Sequence, residues 1–230
     1  MPVNQPAPSE SVYYQNSGSV PLASRLSLHV RRKMFRLFMD AVRPGPLTTV
    51  LDVGVTSDER HRESNYFEQL YPYPAKVTCV GTEDGSHLEA RYPGLTYRRV
   101  TAGDPLPFAD GRFDVVFSNA VIEHVGSRDA QAAFVRELCR VGRSCFVTTP
   151  DRRFPFEHHT GLPLLHYLPP RVFRAILART RYAHWSLESH LNILTAGEMP
   201  RLFPESVAVT VRSVRLGGIP SNLVAYAIRR

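Results

Sequence analysis

Residues 113–124 read FDVVFSNAVIEH, and a second run of the same kind, TTVLDVG, fills 48–54. Each is a short, β-branched apolar run that ends in small and polar residues. Such runs are strands buried on both faces, as in a parallel sheet. Their polar ends then fall at the carboxyl ends of the strands, where open α/β sheets bind their ligands.

The rest of the chain extends this pattern in both directions. Pro21 to Val42 reads as a helix, because Leu22, Leu26, Val30, Phe35, Phe38 and Met39 recur at helical spacing and Pro44-Gly45-Pro46 stops it. Strand-like runs at 48–54, 76–82, 95–101, 113–119 and 144–149 alternate with helical ones at 63–71, 86–92 and 128–141. That rhythm predicts a parallel sheet with right-handed crossovers. The end of the chain differs: 207–216 and 222–229 are strand-like runs joined only by GGIPS. So short a link demands an antiparallel pair, since a parallel crossover needs a dozen residues or more. The expected fold class is α/β, a doubly wound Rossmann-like sheet of seven strands, mostly parallel with a terminal antiparallel hairpin. Residues 1–20 read as a flexible arm or lid carrying Tyr13 and Tyr14. Residues 21–230 read as one domain, with a substrate-loop and helix insertion at 150–190.

Composition bounds the partners. With 43% hydrophobic and 21% charged residues among 230, the chain has the make-up of an ordinary globular protein. No apolar run approaches the roughly 20 residues that span a bilayer. The first residues are polar and Pro/Ser-rich, which argues against a secretory signal. Cys79, Cys139 and Cys145 form no CxxC pair, and the first and last fall in strand-like runs where a buried, reduced thiol is expected. A cytoplasmic setting follows from this. The net charge of +7 raises the question of nucleic acid, but the basic residues form no long block and there is one Trp, so that partner is not expected.

The loop after the first strand, VLDVGVTSDER, decides the cofactor class. A dinucleotide enzyme needs three glycines here so that backbone amides can approach a pyrophosphate. This loop has one, and it carries Asp52, Asp58 and Glu59. Carboxylates in this position favour a cationic ligand.

The stretch VLDVG at 50–54, the stretch ADGRFDVVFSNAVIEHV at 109–125 and the terminal hairpin resemble class I S-adenosylmethionine-dependent methyltransferases, close to their small-molecule "type 11" branch. The resemblance is good over roughly 45–150. It implies S-adenosyl-L-methionine as cofactor and methyl transfer to an O, N or C atom of a small-molecule biosynthetic intermediate. The family's first motif, D-x-G-x-G-x-G, keeps Asp52 and Gly54, whereas Thr56 and Asp58 stand at its later glycine positions. The ribose-binding acid falls on Glu83 or Asp84, the acid near adenine on Asp104, with Asn119 in support. Two other readings of the same fold remain open: a cofactor-retaining enzyme that transfers no methyl, and a degenerate, non-catalytic binding module.

Methyl transfer from a sulfonium is an in-line displacement, so the enzyme mainly supplies proximity. An oxygen or nitrogen nucleophile also needs its proton taken, typically by His, Glu or Asp. The candidates follow strands four and five: His124, then His158 and His159 in TTPDRRFPFEHHTGLPLLHYLPP at 148–170. Neighbouring side chains of an extended segment point oppositely, so only one of the last two can face the site. Tyr13, Tyr14, Arg152 and Glu157 are the candidate acceptor contacts. A metal needs at least three converging ligands; nothing in the spacing specifies them, and no metal is expected. The chain is expected to act as a monomer or homodimer.

Overall fold

A computed structural model describes residues 21–229 apart from Arg60 and Arg62. Tyr13 and Tyr14 lie outside the described residues. The backbone forms one seven-stranded sheet: β1 (Val50–Val53), β2 (Val77–Gly81), β3 (Thr96–Arg99), β4 (Phe113–Asn119), β5 (Gly142–Pro150), β6 (Val207–Leu216) and β7 (Ile219–Arg229). Their order across the sheet is β3-β2-β1-β4-β5-β7-β6. β1 to β5 pair in parallel, and β7 runs antiparallel to both β5 and β6. The strand order reverses between β1 and β4, which is the switch point where such sheets open a crevice.

Period-two alternation assigns each strand residue to a face. Leu51, Val53, Val116 and Val147 join the core under α4 (Arg128–Val141), with Val135 and Leu138 facing them. Val50, Val115, Phe117 and Phe146 face the other way, toward α1 (Pro21–Val42) and α2 (Tyr66–Leu70). On α1 the buried stripe is Val30, Met34 and Phe38, four residues apart, while Leu26 remains 39% exposed. Phe67 of α2 stacks on Phe117 of β4 with ring centroids 4.3 Å apart. α3 (His87–Arg91) is short and buries Leu88.

The terminal hairpin is tighter than its sequence suggests. β7 begins at Ile219, so only Gly217 and Gly218 turn the chain, at φ 56° and 85°. Two consecutive positive φ angles are what a two-residue hairpin turn requires, and glycine meets them without strain. The segment after β5 has its own small core, where Phe173 and Leu177 of α5 (Pro170–Leu177) pack with Tyr182, Trp185 and Leu191. Among the described residues no helix is long and apolar enough to cross a membrane.

Candidate functional site

Two groups of polar residues meet at the carboxyl ends of β1, β2, β4 and β5. The first is the turn after β1. Gly54 sits at φ 105°, and a Cβ added there would lie 2.1 Å from Val121 Cγ2, so no other residue fits without a shift. Asn65 clamps the loop that follows: its Oδ1 accepts from the Thr56 amide at 3.0 Å, and its Nδ2 donates to the Thr56 carbonyl at 2.8 Å. Asp58 is tied down locally, accepting from Ser64 Oγ and from the His61 amide at 3.2 Å. Burial works against its charge, but these bonds hold its carboxyl below the usual carboxylate range.

Asp52 shares a face with Val50, and that face packs on α2. Its carboxyl therefore lies in the interior beside Glu68 rather than toward the loop. Burial and the neighbouring Glu68 carboxylate push Asp52 well above its ordinary value. Glu68 Oε1 accepts from Cys79 Sγ at 3.2 Å, while its buried Oε2 has no hydrogen-bond partner among the described residues. Sequence reasoning missed Glu68, the acid in the buried part of YFEQL.

Glu83 follows β2, as the resemblance implied. Its Oε2 accepts from Thr56 Oγ1 at 3.1 Å, Ser57 Oγ at 2.7 Å and the Ser57 amide at 3.0 Å. Two hydroxyls on one carboxylate oxygen is the arrangement an acid offers a sugar diol. Asp84 is exposed and accepts only a local bond from the Ser86 amide, at 3.0 Å. Asp104 is exposed in the turn after β3. Neither joins the group, because the chain passes both on its outer surface. Asn119, at the end of β4, accepts from Thr148 Oγ1 at 2.7 Å.

The second group gathers around His124. Ala120, at φ 54°, turns the chain sharply out of β4 into a 3₁₀ turn at Ile122–His124. A left-handed non-glycine residue of this kind is a local strain that concentrates at functional sites. His124 Nδ1 lies 2.6 Å from the His190 carbonyl and so donates to it, which leaves Nε2 as an acceptor in the neutral ring. His159 Nδ1 donates to Glu157 Oε1 at 2.7 Å, and the two Nε2 atoms stand 3.1 Å apart. Glu157 also accepts from the Thr160 amide at 2.7 Å. Glu123 is fully buried. Its Oε2 accepts from Thr149 Oγ1 at 3.0 Å, whereas Oε1 has no hydrogen-bond partner among the described residues and lies 4.0 Å from His124 Nε2.

The electrostatics follow from this packing. Burial raises Glu123 to about 7 despite the nearby His159. Burial and the facing His159 ring lower His124 to about 3. Burial opposes charge on His159, but Glu157 and Glu123 outweigh it and raise the ring above its ordinary value. Burial likewise opposes charge on Glu157, and the His159 partnership overrides it to hold that carboxyl at about 2. Of the two facing rings, the surroundings favour charge on His159 and disfavour it on His124.

His158 points elsewhere: it is exposed, with its ring 5.1 Å from that of Phe154. Arg152 does not reach the cluster either. Its guanidinium donates to the backbone carbonyls of His166 at 3.2 Å and Leu168 at 3.1 Å, stapling the loop. Trp185, whose ring lies 4.8 Å from His159, and His190 belong to the site and were not found from sequence, because they come from 60 or so residues further along the chain than His124. A cavity of about 240 Å³ joins the two groups, lined by Thr82 and Glu83 on one side and by His124, His184, Trp185, Ser189 and His190 on the other.

A doubly wound sheet in this strand order, with a tight glycine turn after β1 and an acid after β2, is an α/β architecture that opens its ligand crevice at the carboxyl ends of the strands. Residues 51–144 match the family described as "Methyltransferase domain". No curated protein sequence matches the chain significantly. Among solved structures it is similar to the YcgJ protein of Bacillus subtilis, with a TM-score of 0.57 and 14% identity, covering 86% of this chain and 99% of that one. It is also similar to an S-adenosylmethionine-dependent methyltransferase of Mesorhizobium loti, with a TM-score of 0.54 and 14% identity over 83% of this chain and 96% of the other. A Thermotoga maritima protein described as a possible histamine N-methyltransferase gives a TM-score of 0.54 at 15% identity, over 91% and 92% of the two chains. At these identities the likeness is one of fold.

Proposed function

We propose that the chain transfers the methyl group of S-adenosylmethionine to a nucleophilic oxygen, nitrogen or carbon of a small molecule held in the cavity between Glu83 and His124. The observation that carries this reading is that one cavity joins Glu83, an acid suited to a ribose diol, with His124, the member of the His–His–Glu cluster that lines it. The donor chemistry at Glu83 fits the cofactor: Thr56 and Ser57 already present two hydroxyls to its Oε2, and a diol replaces like with like. Gly54 lets the chain turn closely beneath.

Bound S-adenosylmethionine supplies an activated methyl group on a sulfonium. The chain's own residues do the rest. Glu83 fixes the cofactor's orientation, and the cavity walls bring the acceptor into line. Of the buried cluster His124 lines the cavity, and it is the group through which a proton from an oxygen or nitrogen acceptor would reach Glu123, whose carboxyl is raised to about 7. Glu157 holds the His159 ring in place, and His159 in turn holds His124. Arg152 acts on the acceptor only through the loop it staples.

The test is isothermal titration with S-adenosylhomocysteine. The wild type binds in the micromolar range, and Glu83→Ala weakens binding by about tenfold or more, the worth of a hydrogen bond to a charged group. Absence of binding by protein shown to be folded overturns the reading. The degenerate binding module then takes its place, a reading favoured by the grip of Thr56 and Ser57 on Glu83.

A further inference from the structure

The geometry points to a divalent transition-metal site formed by Glu123 Oε1, His124 Nε2 and His159 Nε2. All three ligand atoms lie within 4.8 Å of one another. Two imidazoles and one carboxylate form a donor set of the kind that holds zinc or another first-row divalent ion, with positions left open for a further ligand.

Four observations converge on this. The two Nε2 atoms are 3.1 Å apart. Nitrogens bound about 2.0–2.1 Å from one ion stand about 2.9–3.4 Å apart between octahedral and tetrahedral angles, so the pair is already at ligand spacing. Each ring has its far nitrogen held by an oxygen: His124 Nδ1–H by the His190 carbonyl at 2.6 Å, His159 Nδ1–H by Glu157 at 2.7 Å. That is how metal-ligating histidines are oriented and made more basic, and it directs both Nε2 lone pairs inward. The carboxylate is oriented the same way, with Glu123 Oε2 accepting from Thr149 Oγ1 at 3.0 Å. Finally, Glu123 Oε1 is completely buried and has no hydrogen-bond partner among the described residues, a cost that an ion would remove. Glu123 Oε1 is 4.0 Å from His124 Nε2, so the carboxylate closes on the ring pair to reach ligand spacing.

His124 also lines the cavity that contains Glu83, so the open positions face the acceptor's space. An acceptor hydroxyl or carboxylate bound there is polarised and held beside the cofactor. The same three atoms that hold one proton when no ion is bound hold the ion in its place. His158, one residue away, is excluded by its exposure and its packing on Phe154.

The experiment titrates the protein, stripped with a chelator and without cofactor, with Zn²⁺, Mn²⁺ and Co²⁺. Leaving the cofactor out makes the result independent of whether methyl transfer is the activity. The expected result is one ion per chain, with Co²⁺ giving a visible absorption band that Zn²⁺ abolishes. His159→Ala removes the band. Glu157→Gln, which alters only the partner of a ligand, weakens affinity by about 10- to 100-fold. His158→Ala leaves the band unchanged. Thermal melts check that each variant folds; if His159→Ala does not, Glu123→Gln replaces it and must still lower affinity. Absence of a stoichiometric ion in the wild type, or binding that survives His159→Ala and Glu123→Gln, overturns the assignment and leaves the cluster as a proton-holding pair.

Discussion

The two ends of the cavity treat their carboxylates in opposite ways. At the β1–β2 end each acid has neighbours that hold it: Glu83 receives bonds from Thr56 and Ser57, Asp58 from Ser64 and His61, and Asp52 lies buried beside Glu68. At the β4–β5 end Glu157 is fully engaged, yet Glu123 keeps one buried oxygen with no hydrogen-bond partner among the described residues. The first end is a site filled by its own loop, which a ligand must displace. The second is a site held open, with its strain carried by a buried, unsatisfied atom. Affinity at the first end is therefore a competition with the loop, whereas chemistry at the second needs no loop to leave.

Several substitutions break or sharpen this contrast. The largest effect is expected from Glu157→Gln, which removes the charge that keeps His159 in its protonated, oriented state. Methyl transfer to an accepted substrate should fall by about 10²- to 10⁴-fold, measured as single-turnover kcat, with S-adenosylhomocysteine affinity changed little. An equal loss in both would show that the two ends are one site.

Gly54→Ala comes next. A Cβ there meets Val121 at 2.1 Å in a backbone conformation that alanine resists. A loss of about 2–4 kcal/mol is expected in denaturant unfolding, combining the strain of a positive φ with overpacking. A loss under half a kilocalorie per mole would mean that the β1 turn gives way freely.

Glu68→Gln acts in the opposite direction. Asp52 keeps its proton in the folded protein to a higher pH than in the unfolded chain, so folding takes up a proton and stability falls as pH rises above about 4. The variant removes the repelling carboxylate. Its melting temperature should exceed that of the wild type at pH 8 by a few degrees, converge with it near pH 4, and show a flatter pH profile between. Identical profiles for the two proteins would contradict the repulsion between Asp52 and Glu68.

The smallest effect is expected from Ser57→Ala. If the loop competes with a ligand for Glu83, removing one hydroxyl should tighten S-adenosylhomocysteine binding by about 2- to 10-fold, the worth of one hydrogen bond. Weaker binding would show that Ser57 orients Glu83 rather than obstructing it.

The fold was largely legible in the sequence because its signals are local. The expected bounds of α1, β4, α4 and β6 coincide with the observed ones, and the short link before the last strand forced an antiparallel pair. The strands around 48–54 and 95–101 proved shorter, at Val50–Val53 and Thr96–Arg99. The site was legible in part. Alternation along 157–159 told that only one of the two histidines could face inward, and His159 does. Glu83 stood in a recognisable place after β2. Asp84 and Asp104 carry the same chemistry, and only the path of the chain sets them outside. Glu123 was concealed by its neighbour: in VIEH the histidine draws the eye, while the acid's importance rests on Thr149 and His159, which the fold supplies from β5 and the loop beyond. Trp185 and His190 gave no local signal at all.

The contact between Gly54 and Val121 has a consequence for both turns. Val121 immediately precedes the turn that carries Glu123 and His124, and its γ-methyl occupies the space where any side chain at position 54 would begin. The turn that faces the nucleoside thus leans on the turn that faces the nucleophile, with a single methyl group as the bearing between them. A molecule that pushes the first turn outward moves the second by a comparable amount, because a close-packed contact transmits displacement instead of absorbing it. The two turns therefore share one packing contact, and a change of shape in either is felt by the other.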